Sequence, residues 1–130
     1  MPRHHVTLSP RREFIIIAIS GPRDDEAAAA ALDDVLARRA ETGLTRLIFD
    51  TRQTCITLKP ERLMERALTA GRAVAPSRVA ILAEHLDDTH ARIWRKGLEE
   101  TGHEALVFAD ATEAQAWLLT RADAPQVFVS

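Results

Sequence analysis

The chain reads as an α/β domain with a single mixed, mostly parallel sheet of about five strands, four helices and an antiparallel hairpin at the N-terminus. Two observations carry that reading. Four short apolar runs, FIIIAI (Phe14 to Ile19), RLIFD (Arg46 to Asp50), RVAILA (Arg78 to Ala83) and ALVFAD (Ala105 to Asp110), have strand length and are too short to be helices. Each is followed by an amphipathic stretch of helical period. Strands that are apolar at successive positions are covered on both faces, which happens when helical crossovers lie over a parallel sheet.

The elements follow in order. His5 to Ser9 alternates as HVTLS, and the break Pro10, Arg11, Arg12 before FIIIAI is too short for a parallel return, so these two strands form a hairpin. Ser20, Gly21 and Pro22 are expected to end the second strand. Asp24 or Asp25 then caps a helix reaching about Thr42, where Gly43 supplies the stop. Ala28, Leu32, Val35, Leu36 and Ala40 share one face of it. After RLIFD, the segment Asp50 to Leu58 reads as a polar loop, delivering the chain to Pro60 and Glu61 in the first turn of a second helix. Leu63, Met64, Ala67, Leu68 and Val74 form its inner stripe, and Pro76 forces the exit. RVAILA leads through Glu84 and His85 to Asp87 and Asp88, caps for a third helix with Ile93, Trp94 and Leu98 inward and Arg92, Arg95, Lys96 and Glu99 outward. Gly102 closes it. Asp110 with Glu113 makes a capping-box pattern for the last helix, whose inner residues are Ala114, Trp117 and Leu118. Ile16, Leu47, Ile48, Ile81, Val107 and Trp117 should be buried. The chain ends in VFV (Val127 to Val129), a candidate edge strand or contact for a second copy.

Composition narrows the function classes. A chain of 130 residues makes one domain, residues 1–130. Its apolar stretches are interrupted by charge well short of the ~18 to 20 residues a membrane span needs. The N-terminus MPRHHVTLSPRREF lacks the apolar core of a secretory signal, so the cytoplasm is the expected compartment. A net charge of -2 with scattered arginines gives no footprint for nucleic acid. Cys55 is the lone cysteine, which excludes an internal disulfide and a multi-cysteine zinc site.

Four candidate chemistries can be weighed. Asp50, Glu84 and His85, with Arg52 orienting an anion, could form an acid-base site at the strand ends, although turn and capping roles already explain these residue types. His85, Asp87, Asp88 and His90 lie close together, but the histidines lack same-face helical spacing and the aspartates are caps, so no metal is expected there or at His4 and His5. Cys55 carries no cysteine-enzyme signature and reads as a small apolar loop residue. Arg92, Arg95 and Lys96 read as a solvated helix face with the capacity to serve an acidic partner. No glycine-rich phosphate cradle is present, and no cofactor is expected.

Taken together, the hairpin followed by alternating helices and strands, GP at Gly21 and Pro22, LIFD at Leu47 to Asp50, VAILAE at Val79 to Glu84 and VFADATEAQAWL at Val107 to Leu118 resemble the SpoIIAA-like group of STAS-type domains. The resemblance spans about Phe14 to Leu119. It implies an anti-sigma-factor-antagonist-like fold and a non-catalytic regulatory or binding module that acts through a protein partner or a small ligand. Antagonists of that group carry an Asp-Ser pair at the start of the second main helix, where a partner kinase phosphorylates the serine. The corresponding DTRQTCITLKPERL has Thr51, Thr54 and Thr57 and no such pair. Long loops on rigid scaffolds are where binding usually resides, so the functional surface is expected at Thr51, Arg52, Thr54 and Thr57.

Overall fold

The computed structural model describes residues 4–23, 25–56 and 58–120, and of residues 22, 23 and 54–56 it describes the backbone alone. Five strands, β1 (His4–Leu8), β2 (Ile15–Arg23), β3 (Arg46–Ile56), β4 (Arg78–Leu82) and β5 (Glu104–Phe108), alternate after the first two with four helices. These are α1 (Asp25–Thr42), α2 (Pro60–Ala73), α3 (Thr89–Glu100) and α4 (Ala111–Leu119). The sheet order is β1-β2-β3-β4-β5, with β1 antiparallel to β2 and every later pair parallel. The expected class is therefore the observed one. The tail carrying Val127 to Val129 lies outside the described residues.

Strands laid down in sequence order put every right-handed crossover on the same side, so α1, α2 and α3 share one face and α4 stands on the other. The larger core lies under the three helices and joins Ile15, Ile17, Leu47, Phe49, Ile81 and Trp94. The smaller one, under α4, gathers Phe14, Ile48, Ala80, Leu82, Ala114 and Leu118. β4 is buried at every position, as a central strand with both faces covered must be. Ile15, Leu63, Ile81 and Leu118 are the largest side chains removed completely from water, and such burial contributes about 1.5 to 3 kcal/mol each.

Local signals act as expected at most element ends. Ser9 organises the hairpin turn, its hydroxyl accepting from the N–H groups of Glu13 at 2.8 Å and Phe14 at 3.2 Å. Gly43, at φ 72°, ends α1 and donates to the Arg39 carbonyl at 2.8 Å. Pro60 opens α2, and Asp88 caps α3 by accepting from Ala91 N–H at 2.9 Å. Asp110 caps α4 through Thr112 N–H at 2.7 Å, while Glu113 is exposed.

Three expectations are corrected. The segment from Asp50 is not a loop: β3 continues to Ile56, and β2 does not stop at Ser20 but runs to Arg23. Ser20, Gly21, Pro22 and Arg23 pair with Gln53, Thr54, Cys55 and Ile56, so polar and glycine-proline residues that read as turn signals are held in the ladder by the neighbouring strand, with Gly21 at φ 72°, a conformation that favours glycine. Proline is tolerated because the sheet there has narrowed to two strands among the described residues, leaving backbone edges that need no donor. Ile16, Val107 and Trp117 are half-buried rather than buried. A single nine-residue helix cannot seal the face that holds Ile16 and Trp117, and Val107 sits on the edge strand β5. Finally, Ala40 of α1 is exposed, while Ala27 and Ala31 join Ala28 and Val35 in the buried stripe.

Candidate functional site

β3 is eleven residues long and β4 only five, so past Asp50, the residue paired with Leu82, β3 loses its neighbour on that side. The register with β2 shifts at this point: Ala18 pairs with Asp50 but Ser20 pairs with Gln53, which places one extra residue of β3 in a bulge at Thr51 and Arg52. Beyond the bulge the sheet is, among the described residues, a two-stranded ribbon projecting past β4.

The bulge is internally organised. Thr51 Oγ1 donates to the Leu82 carbonyl at 2.8 Å, closing the end of β4. Arg52 folds back on Asp50 in a bidentate pair, Nε to Oδ1 at 3.0 Å and Nη2 to Oδ2 at 2.9 Å, and its backbone N–H adds a third bond to Oδ1 at 3.1 Å. Partial burial by itself would raise the Asp50 carboxyl; the hydrogen bonds and charge of Arg52 outweigh that and hold its pKa below the ordinary carboxylate range. The guanidinium is raised in turn, chiefly by its hydrogen bond to Asp50.

The expected surface residues are thus in three situations. Thr51 and Arg52 sit side by side in the bulge, with the Thr51 hydroxyl and the Nε and Nη2 groups of Arg52 engaged inside the chain. Thr54 lies in the projecting ribbon, described there by its backbone. Thr57 lies outside the described residues. For the acid-base alternative, Glu84 and His85 are exposed in the bend after β4, whereas Asp50 is committed to Arg52. The sheet also lacks a reversal of strand order within its parallel part, so it has no switch-point crevice of the kind that collects ligands in doubly wound sheets.

Among the described residues no three His, Cys, Asp or Glu side chains are grouped so as to hold a metal ion. Asp88 is occupied as a cap, and His4, near Val6 at the start of β1, pairs with Asp34 of α1. His103 is buried and satisfied at both ring nitrogens, Nδ1 accepting from Ser77 N–H at 3.1 Å and Nε2 donating to the Gly71 carbonyl at 2.8 Å. It ties α2 to the residues that lead into β4 and β5. No described helix is long and apolar enough to cross a membrane.

Sequence reasoning missed two features. An apolar cavity of about 70 Å³ lies between α1, α2, α3 and the sheet, bordered by Ala28, Ala31, Leu47, Phe49, Val79 and Trp94. Its signal was in the chain: within the alanine run, Ala27, Ala28 and Ala31 put methyl groups on the buried face of α1, and small side chains leave the layer underfilled. The second is Arg78, which starts a buried strand yet is itself only 8% exposed. Its Nε and Nη2 donate to the Trp117 carbonyl at 3.1 and 2.8 Å, its Nη1 reaches Glu104 at 2.5 Å, and its guanidinium lies 3.9 Å from the centre of the Trp117 ring. No spacing rule could have connected residues 39 positions apart.

No protein-family model and no curated protein matches the chain. Among solved structures, it is similar to an uncharacterized protein of the DUF3478 family with a SpoIIAA-like fold from Shewanella loihica PV-4. The identity is 17%, the match covers 88% of this chain and 91% of that one, and the TM-score is 0.59. At that identity the likeness bears on architecture, and the sheet order, the N-terminal hairpin and the four helices agree with it: this chain has a SpoIIAA-like fold.

Proposed function

We propose that this chain is a single-domain, non-catalytic regulatory module of the cytoplasm that binds a protein partner or small ligand through the end of the sheet where β2 and β3 outrun β4. The observation that carries the reading is the projecting ribbon with its bulge. The five-stranded sheet holds it, it carries Thr51 and Arg52 in its bulge, and the chain leaves it toward the α2 N-terminus, which favours anions; the reading extends the surface to Thr54 and Thr57 on their place in the sequence. Arg52 keeps the N–H groups of Nη1 outside its fork with Asp50, so it can bridge that carboxylate to an incoming acceptor.

The state of Asp50 supports a binding role over the acid-base alternative. A carboxyl held ionised by an adjacent guanidinium is a poor general acid at neutral pH, and its lowered basicity makes it a weak general base. Replacing Arg52 and Thr57 together by Ala should weaken capture of a partner identified by cross-linking and mass spectrometry while leaving the thermal midpoint nearly unchanged. Unaltered capture by that variant removes the ribbon from the function.

The cavity favours a second form of the same reading, in which the ligand is small and apolar. At about 70 Å³ it is below the ~150 Å³ that admits a benzene-sized guest, so a ligand would have to displace α1 outward. Chemical shifts of Phe49 and Trp94 on titration with benzene test this directly, and their constancy would reject it.

A further inference from the structure

A second surface lies on the helical layer, beyond the strand-end reading. α2 and α3 approach closely where Gly97 faces Ala67 and Met64, and an open groove of about 580 Å³ runs along the outer flank of α3 beside Met64 of α2. Its apolar floor is Met64 and Ile93, both half-buried. Its rim is cationic: Arg92, Arg95 and Lys96 line it, with Glu99 as the one carboxylate. That carboxylate is shared with Arg95 at 3.4 Å, while Arg92 and Lys96 have no ion-pair partner among the described residues. The groove therefore carries an excess positive charge on a chain whose net charge is -2.

We infer that this groove is a docking site for an acidic amphipathic helix of a partner protein. Charge and spacing argue for that occupant. Arg92 and Lys96 stand at i and i+4, about 6 Å apart along α3, which is the separation of carboxylates at i and i+4 on a facing helix. The lining runs from Thr89 to Glu99, about 15 Å of helix axis, or roughly three turns of a partner. One or two apolar side chains on the partner's inner face would meet Met64 and Ile93 between the charge pairs, the arrangement of helix-in-groove recognition. Nucleic acid fits poorly because the lining has no aromatic side chain for a base to stack on.

The test uses the full chain and a fluorescein-labelled synthetic helix of about 14 residues, with glutamates at i and i+4 on one edge and leucines between them. Anisotropy should report saturable binding that weakens as salt rises, and amide shifts should concentrate at Met64 and along Thr89 to Glu99. Arg92→Glu with Lys96→Glu should weaken binding by about tenfold or more, with an intact thermal midpoint because both side chains are exposed. Arg52→Ala with Thr57→Ala should leave it unaltered, so loss of the strand-end reading and loss of this one are separable. Three results overturn the inference: no saturable binding, equal binding of a scrambled peptide of the same composition, or binding of phosphatidylglycerol vesicles in preference to the peptide.

Discussion

Gly97→Ala sets two known effects against each other on one residue, and the structure decides the sign. Gly97 lies within α3, where replacing glycine by alanine ordinarily gains about 1 kcal/mol of helix stability. A Cβ built there would lie 2.5 Å from the Ala67 Cβ, 3.3 Å from the Ala67 carbonyl carbon and 3.4 Å from the Met64 sulfur. Carbon atoms in contact settle at about 3.5 to 4.0 Å, so α3 would have to move away from α2 by about 1 Å. Neither methyl has a rotamer through which to yield, and the movement would lift Trp94 and Leu98 from the core, so the overpacking cost belongs near the upper end of about 1 to 3 kcal/mol. The net expectation is a loss of about 1 to 2 kcal/mol, or roughly 3 to 10 °C in Tm for a domain of this size. Urea unfolding followed by tryptophan fluorescence, with thermal circular dichroism, measures it. Adding Ala67→Gly to Gly97→Ala should recover stability relative to the sum of the single changes by about 1 kcal/mol or more, because the crowded methyl is removed. A Gly97→Ala protein more stable than the parent, with additive double-mutant behaviour, would refute the close approach of α2 and α3.

Other expectations are independent of that contact. Asp88→Ala should cost about 1 kcal/mol, read as a lowered urea midpoint, since it removes the acceptor of the Ala91 N–H at the start of α3. Arg78→Met should cost about 1.5 to 3 kcal/mol and red-shift tryptophan emission, because the Trp117 carbonyl loses its charged donor and the indole its cation. The Asp50–Arg52 pair gives a pH signature whose sign follows from the depressed carboxyl. Its stabilisation is present above the unfolded pKa of about 3.9 and is lost as pH falls through the lower folded value. The parent should therefore exceed Asp50→Asn in stability by under about 1 kcal/mol at pH 7, the pair being partly exposed, and that advantage should vanish in acid unfolding.

What the amino-acid sequence determined by itself was the alternation of elements and most of their ends. Those signals are local: apolar runs of strand length, the Asp88 and Asp110 caps, Pro60 in a first turn, Gly43 with its left-handed φ. Each acts through a few neighbouring residues, so its meaning survives whatever the chain does elsewhere. The tertiary structure decided what depends on a neighbour distant in sequence. DTRQTCI and SGPR look like loop chemistry alone and become strand because each supplies the other's hydrogen-bonding partner across the ribbon. Arg52 forks onto Asp50 at a bulge where the register with β2 shifts by one residue, a pairing that depends on how β2 and β3 lie together. Arg78 is buried because α4 returns its Trp117 carbonyl and ring to the start of β4, and the cavity beside α1 exists because alanines pack against a sheet whose strands arrive from three other parts of the chain. Long-range pairing and volume matching are properties of the assembled layers, and no local pattern carries them.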